Sequence, residues 1–172
     1  MRISFNPCGF WLSEKLDGCR AIWTGSALLS RHGRDFRPPP WFVAGLPNRR
    51  LDGELYCGRG TFPELVSIIQ RKGSQWEGIR FEIFDLAELR QPIETRLAML
   101  AGLPLPPHCG RVAHRLCTGR ADLDRAEVAV VAAGGEGLCL RAPRGLYRPN
   151  NFFKVKRLHP DFDRSQLDNP KP

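Results

Sequence analysis

The chain alternates apolar and polar side chains over residues 11–16, 21–23 and 27–30, the period-2 signature of strands, with Thr24-Gly25-Ser26 as a hairpin turn between the last two. The first third therefore reads as antiparallel sheet. Three consecutive prolines rule out regular structure over residues 34–40, and a strand resumes over 50–57, ending at Gly58. Residues 61–71 have Thr61 as N-cap, Pro63 and Glu64 in the first turn, and Leu65, Ile68 and Ile69 on one face, which predicts a helix. A compact β-branched and aromatic run over 79–86 predicts a strand. Residues 93–103 place Leu97, Leu100 and Ala101 at helical spacing after Pro92. After a proline-rich connector at 104–107 come a strand over 111–117 and an Ala/Val-rich helix over 122–133, stopped by Gly134-Gly135. Strands over 137–141 and 151–156, joined by a turn region at 142–150, complete an α+β pattern, and the tail from Pro160 reads as solvated.

At 172 residues, 42% hydrophobic and 26% charged, the chain has room for one sizeable core and hardly for two. No apolar run approaches the ~20 residues needed to span a bilayer, and the first residues lack a signal-peptide pattern. Six cysteines without any CxxC fit reduced thiols, so the expected location is the cytoplasm and no membrane is involved. The 26 Lys and Arg against 18 Asp and Glu give a formal net charge of +8, which suits a polyanionic partner without demanding one.

Lys15-Leu16-Asp17-Gly18-Cys19-Arg20 carries the first candidate chemistry. An amine at a strand end, with a carboxylate two residues on and a guanidinium five residues on, is a nucleophile with phosphate-facing support. To attack it must lose a proton that an ordinary lysine keeps up to about pH 10.4, so neighbouring cations or a metal ion have to help. Taken alone, the pattern is equally an exposed lysine before an Asp-Gly turn. Asp52-Gly53-Glu54 and Glu136-Gly137 add two carboxylates able to hold magnesium, and Lys154 and Lys156, two apart on a strand, project to one face.

Together SEKLDGCR, SRHGR, LDGELYCGR, FEIFDL, GGEGLCLR and FFKVK resemble motifs I, Ia, III, IIIa, IV and V of the covalent nucleotidyltransferases, most closely the ATP-dependent DNA ligases of small bacterial and viral type. The resemblance spans residues 11–156. It implies a ligase-type, ATP-grasp-like nucleotidyltransferase domain over residues 1–160, two antiparallel sheets flanked by helices, and a flexible tail over 161–172. It implies ATP and magnesium (or manganese) as cofactors and nicked duplex DNA as partner. Lys15 would attack the α-phosphorus of ATP to form lysyl-AMP, and Asp17 would support it. Arg20 would contact the ribose and the nick, Arg31 the 5′-phosphate of the nick. Glu54 would bind the ribose, Phe84 would stack on adenine, Glu136 would sit with Glu54 near the metal, and Lys154 and Lys156 would hold the α-phosphate. The backbone around Glu14 would face the adenine edge. Arg141 is a further candidate for nucleotide or DNA phosphate, its bland reading being a surface salt bridge.

An RNA ligase, a GTP-dependent capping-type enzyme and a non-catalytic nick-binding module remain alternatives. The family's OB-fold domain, which follows motif V, has no room in residues 157–172, so either the sequence is a piece of a longer chain, a separate OB-fold domain or partner protein supplies it, or this is a pared-down form. His108, Cys109, His114 and Cys117 are too irregularly spaced to predict a zinc site. Arg49-Arg50 and Arg71-Lys72 read equally as DNA contacts or solvated pairs, and Trp41 and Trp76 as loop or core anchors.

Overall fold

The computed structural model describes residues 3–71, 76–87, 90–148 and 152–155. Lys72, Lys156, the ends of the strand expected over 151–156 and the tail lie outside these residues. The described elements, in order, are β1 (Trp11–Glu14), β2 (Cys19–Trp23), β3 (Leu28–Ser30), α1 (Pro40–Val43), β4 (Leu51–Tyr56), α2 (Phe62–Gln70), β5 (Arg80–Leu86), α3 (Ile93–Ala101), β6 (Cys109–Arg111), β7 (Arg115–Leu116), α4 (Arg120–Ala132), β8 (Leu138–Arg141) and β9 (Phe153–Val155).

Two sheets form, ordered β7-β1-β8-β9 and β3-β2-β4-β5-β6, antiparallel throughout except that the edge strand β6 runs parallel to β5. The α+β class and the strand and helix order match the sequence reading, with three differences. The first strand and the β2–β3 hairpin belong to different sheets, so the chain crosses between layers at residues 15–18, where the candidate nucleophile sits. The strand expected over 111–117 is two short strands, β6 in one sheet and β7 in the other, because the chain changes sheets between Arg111 and Arg115. A single turn of helix, α1, opens at Pro40 where the prolines argued against regular structure. Proline is tolerated at a helix's first position, where its missing N–H has no partner to lose.

Each sheet packs one face on its own core. In the four-stranded sheet, Leu12, Leu138, Leu140 and Val155 pack with Leu123 of α4. In the five-stranded sheet, Leu51, Leu55, Phe81 and Ile83 pack with Leu65 of α2 and Leu100 of α3. Trp76 belongs to this second core, whereas Trp41 is 42% exposed. Thr61 does sit at the N-cap of α2, yet its hydroxyl donates to the Gly58 carbonyl at 2.9 Å instead of capping the helix. No helix among the described residues is long and apolar enough to cross a membrane.

Candidate functional site

Period-2 alternation decides what the first sheet offers on its other face. With Leu12 and Leu140 in the core, their neighbours Ser13, Cys139 and Arg141 face away from it, and the pairing of Cys139 with both Ser13 and Lys154 sets those three in one row. All four line a cleft of about 440 Å³, a size suited to a nucleotide-scale ligand, whose lining also includes Lys15, Arg20, Arg31, Glu54, Phe84 and Phe152.

Lys15 follows the last residue of β1. Its N–H donates to the Gly137 carbonyl at 2.9 Å, and its ammonium pairs with the Glu136 carboxylate, 121 residues away in sequence. The turn carrying Glu136 comes close to β1: a Cβ on Gly135 would stand 2.5 Å from Val130 Cγ1 and 2.9 Å from Glu14 Oε1. Gly18 is constrained likewise, since a Cβ there would lie 2.2 Å from the Leu55 carbonyl oxygen. Glycine in the Asp-Gly step thus lets the crossover lie directly on β4. Asp17 is exposed and is not part of the cleft lining.

The second sheet brings Arg20, Glu54 and Phe84. Arg20 on β2 stands opposite Glu54 on β4 and diagonal to Asp52, to which it donates twice, from Nε at 3.0 Å and Nη2 at 2.6 Å. Asp52 is fully buried and accepts a third bond at 2.8 Å from the Tyr147 hydroxyl. Burial pushes the Glu54 carboxyl up to about 8, against the pull of Lys15 and Arg20 and with help from Asp52 and Glu136. Phe84 reaches the cleft through a bulge: Asp52 pairs with Asp85 and Gly53 with Ile83, which leaves Phe84 as the extra, unpaired residue of β5.

Arg141 is not the surface residue its bland reading required. It is 7% exposed and makes no ion pair among the described residues, and its guanidinium carbon lies 5.0 Å from the Phe84 ring centre and 5.5 Å from that of Phe152. Arg20 stands near the same two rings, at 5.7 and 5.9 Å. Arg31 is exposed in the lining and donates to His32 Nε2 at 2.9 Å. Lys154 is exposed on β9, and Lys156 lies outside the described residues. Glu14 lines the cleft, but its carboxylate turns to Arg59, which donates to it at 2.9 Å from both Nε and Nη2.

Sequence reasoning did not assign Asp52, Arg59, Tyr147 or Phe152. Asp52 and Phe152 stood within quoted motifs, and each sits two positions from an assigned residue on the same strand face. Arg59 closes the motif LDGELYCGR without having been assigned a role, and Tyr147 carried no such signal.

Among the described residues no three His, Cys, Asp or Glu side chains gather as a metal site. Glu54 and Glu136 nevertheless interact electrostatically beside Lys15. Two carboxylates are what magnesium commonly takes from a protein when substrate phosphates complete its shell, so the donor set fits.

No protein-family model matches the chain. It is 30% identical over 154 residues to a DNA ligase of Haemophilus influenzae, covering 87% of this chain and 58% of that protein, so it spans little more than half the relative's length. A solved structure from an analysis of Lig E DNA ligases described as binding DNA with a minimal scaffold superposes with a TM-score of 0.83 at 32% identity, over 90% of this chain and 64% of that one. The Chlorella virus DNA ligase-adenylate superposes with a TM-score of 0.73 at 20% identity, over 86% of this chain and 61% of that one, a likeness of fold alone.

Proposed function

We infer that this chain, which has the nucleotidyltransferase fold of the ATP-dependent DNA ligases, is the adenylating core of such a ligase and takes part in sealing nicks in duplex DNA. The observation that carries the reading is the convergence at one cleft of Lys15, at the end of β1 and paired with Glu136, with Arg20, Glu54 and Phe84 from the other sheet. That is the set needed to hold a nucleoside triphosphate with its α-phosphorus facing an amine.

Lys15 Nζ, unprotonated at the moment of attack, forms a bond to the α-phosphorus of ATP as the bond to the β-phosphate oxygen breaks, giving lysyl-AMP and pyrophosphate. Glu136 orients the amine and is the carboxylate in contact to receive its proton. Phe84 supplies a ring face to adenine, and Glu54 meets the ribose hydroxyls as an acceptor. Lys154, with Lys156, neutralises charge growing on the α-phosphoryl oxygens, while Asp17, two residues on from Lys15, supports the lysine. Bound magnesium or manganese, held by Glu54 and Glu136, would add further charge neutralisation at the phosphates. Arg20, Arg31 and Arg141 are the cations for the DNA terminus. AMP then passes to the 5′-phosphate of the nick, and the 3′-hydroxyl displaces it. Residues 1–160 form the adenylating domain in this reading, with a further OB-fold domain or partner completing the DNA clamp. A reducing cytoplasm suits its six free thiols.

Intact-mass spectrometry before and after ATP and magnesium tests the first step. One AMP adduct, reversed by pyrophosphate and lost in Lys15→Ala, is expected. No adduct with ATP, together with no sealing of pre-adenylated nicked DNA, overturns the reading; an adduct from GTP, or sealing confined to nicked RNA, moves it to the capping-type or RNA-joining relatives.

A further inference from the structure

Arg141 poses an electrostatic problem that the chain leaves unsolved. A guanidinium this deeply buried normally pairs with a carboxylate. Among the described residues, the two carboxylates whose charge acts on Arg141 are committed elsewhere, Asp52 to Arg20 and Tyr147, and Asp85 to Arg96 through bonds of 2.6 and 3.0 Å. Arg141 instead spends Nη1 on neutral acceptors, His114 Nε2 at 2.9 Å and the Ser13 hydroxyl at 3.4 Å. Among the described residues its Nε and Nη2 have no hydrogen-bond partner, although the residue lines the cleft.

His114 is set up as an acceptor. Its Nδ1 lies 2.8 Å from the Val112 carbonyl, which can only accept, so the ring proton resides on Nδ1 and Nε2 presents a lone pair to Arg141. Burial, and then the Arg141 charge, push the imidazole down to about 4, with the Val112 carbonyl and Asp85 opposing. The ring is therefore neutral across the working range. Val112 and His114 occupy the stretch where the chain changes sheets, so the irregularity between β6 and β7 delivers this ring beneath the cleft.

We propose that His114 is a positioning residue, whose unprotonated Nε2 fixes the buried Arg141 guanidinium so that its unpartnered edge receives a phosphate oxygen of the bound substrate. The anion completes the charge balance the protein leaves open. The proposal rests on the ligase reading for its substrates. Nucleotide and nick both offer phosphate oxygens, so the test separates them.

In the whole chain, lysyl-AMP formation is followed against ATP concentration, and sealing of pre-adenylated nicked duplex against DNA concentration, for wild type, His114→Leu and His114→Gln. Leucine fills the space without an acceptor, whereas the glutamine carbonyl reaches about as far as Nε2. The expected result is that H114L raises KM about tenfold or more in one arm while kcat changes less than about threefold, and that H114Q restores most of the loss. A rise for ATP assigns the nucleotide phosphates, and a rise for DNA assigns the nick terminus. Unchanged KM in both arms overturns the proposal, as does equal impairment of H114L and H114Q, which would mean a merely structural ring.

Imidazole ¹⁵N NMR of the wild type, with tripolyphosphate as probe, decides independently of variant folding and of catalysis. Protonated Nδ1, bare Nε2 and an Nε2 shift on adding the probe are expected. The opposite tautomer, a charged ring near neutral pH, or no shift overturns the proposal. A wild type that forms no adduct and seals nothing defeats the ligase reading, while the NMR result still judges the His114–Arg141 pair.

Discussion

Arg59 grips the Glu14 carboxylate with a two-pronged contact, 2.9 Å from each of Nε and Nη2, and its Nη1 reaches the Ala133 carbonyl at 3.0 Å. Arg59 lies three residues beyond the end of β4 in one sheet, Glu14 ends β1 in the other, and Ala133 caps α4. The contact thus clasps the two layers next to Lys15. Since small displacements of a nucleophile cost rate steeply, Arg59→Ala is expected to slow single-turnover lysyl-AMP formation roughly tenfold. The melting temperature should hardly move, because the pair is solvated. Arg59→Lys keeps the charge but loses the planar fork and should resemble alanine. An adenylation rate unchanged in both variants would remove the clasp from the chemistry.

Arg20, Asp52 and Tyr147 form a second coupled set, and here burial makes the contacts costly to break. Asp52 is fully buried and the Arg20 side chain is 14% exposed, so Asp52→Ala strands a guanidinium and should destabilise the fold by about 3–5 kcal/mol. Tyr147→Phe removes one of three bonds to the same carboxylate and should cost about 1–2 kcal/mol. Urea unfolding measures both. A neutral D52A would mean that the Arg20 charge finds another route to water.

What the sequence makes legible follows the range of the forces involved. Leu12 beside Ser13 and Leu140 beside Cys139 announce their faces, and so β1 and β8 can be read directly, whereas the crossover that holds Lys15 cannot, because nothing local tells the chain to change sheets after Glu14. Pairings between distant residues leave no such trace: Glu14 meets Arg59 across 45 positions and Asp52 meets Tyr147 across 95. The register shift that turns Phe84 into the cleft depends on how β4 meets β5, which neither strand states alone. The run over 111–117 looks like one strand because its composition suits a strand throughout. Only the competition between two sheet edges splits it. For Arg141 the sequence leaves a phosphate contact and a surface salt bridge both open, because arginines are usually exposed; its burial follows from its place on β8, between β1 and β9.

Glu54 predicts a pH dependence with a definite sign. Its carboxyl is raised to about 8 in the folded state, against about 4.3 for an unfolded glutamate, so between these values the folded chain binds the extra proton. That contribution to stability is fully present below the unfolded value and is lost as pH rises through 8. Melting temperature should fall from mildly acidic to mildly alkaline pH, and Glu54→Gln, which mimics the protonated acid, should flatten the slope. Binding of magnesium and ATP beside Glu54 favours the carboxylate, so it should release protons near neutrality, measurable by calorimetry in two buffers of different ionisation enthalpy. A slope identical in wild type and E54Q would show that another group titrates.

Arg31 differs from Arg141 in being exposed and tied only to its neighbour His32 among the described residues, so its charge is available at the cleft mouth with little desolvation to overcome. Such a cation contributes to duplex binding chiefly by displacing a counterion from one phosphate. Arg31→Ala should therefore weaken binding of nicked duplex and reduce the slope of log K against log salt by about one, while ATP-dependent adduct formation at Lys15 stays close to wild type. Arg31→Lys should recover the slope, since a point charge suffices for counterion release, but recover sealing only in part if the forked guanidinium is needed to hold the terminal phosphate. Titrations at several salt concentrations separate the two contributions. A slope unchanged in R31A would place Arg31 off the DNA path and leave the terminus to the cations deeper in the cleft.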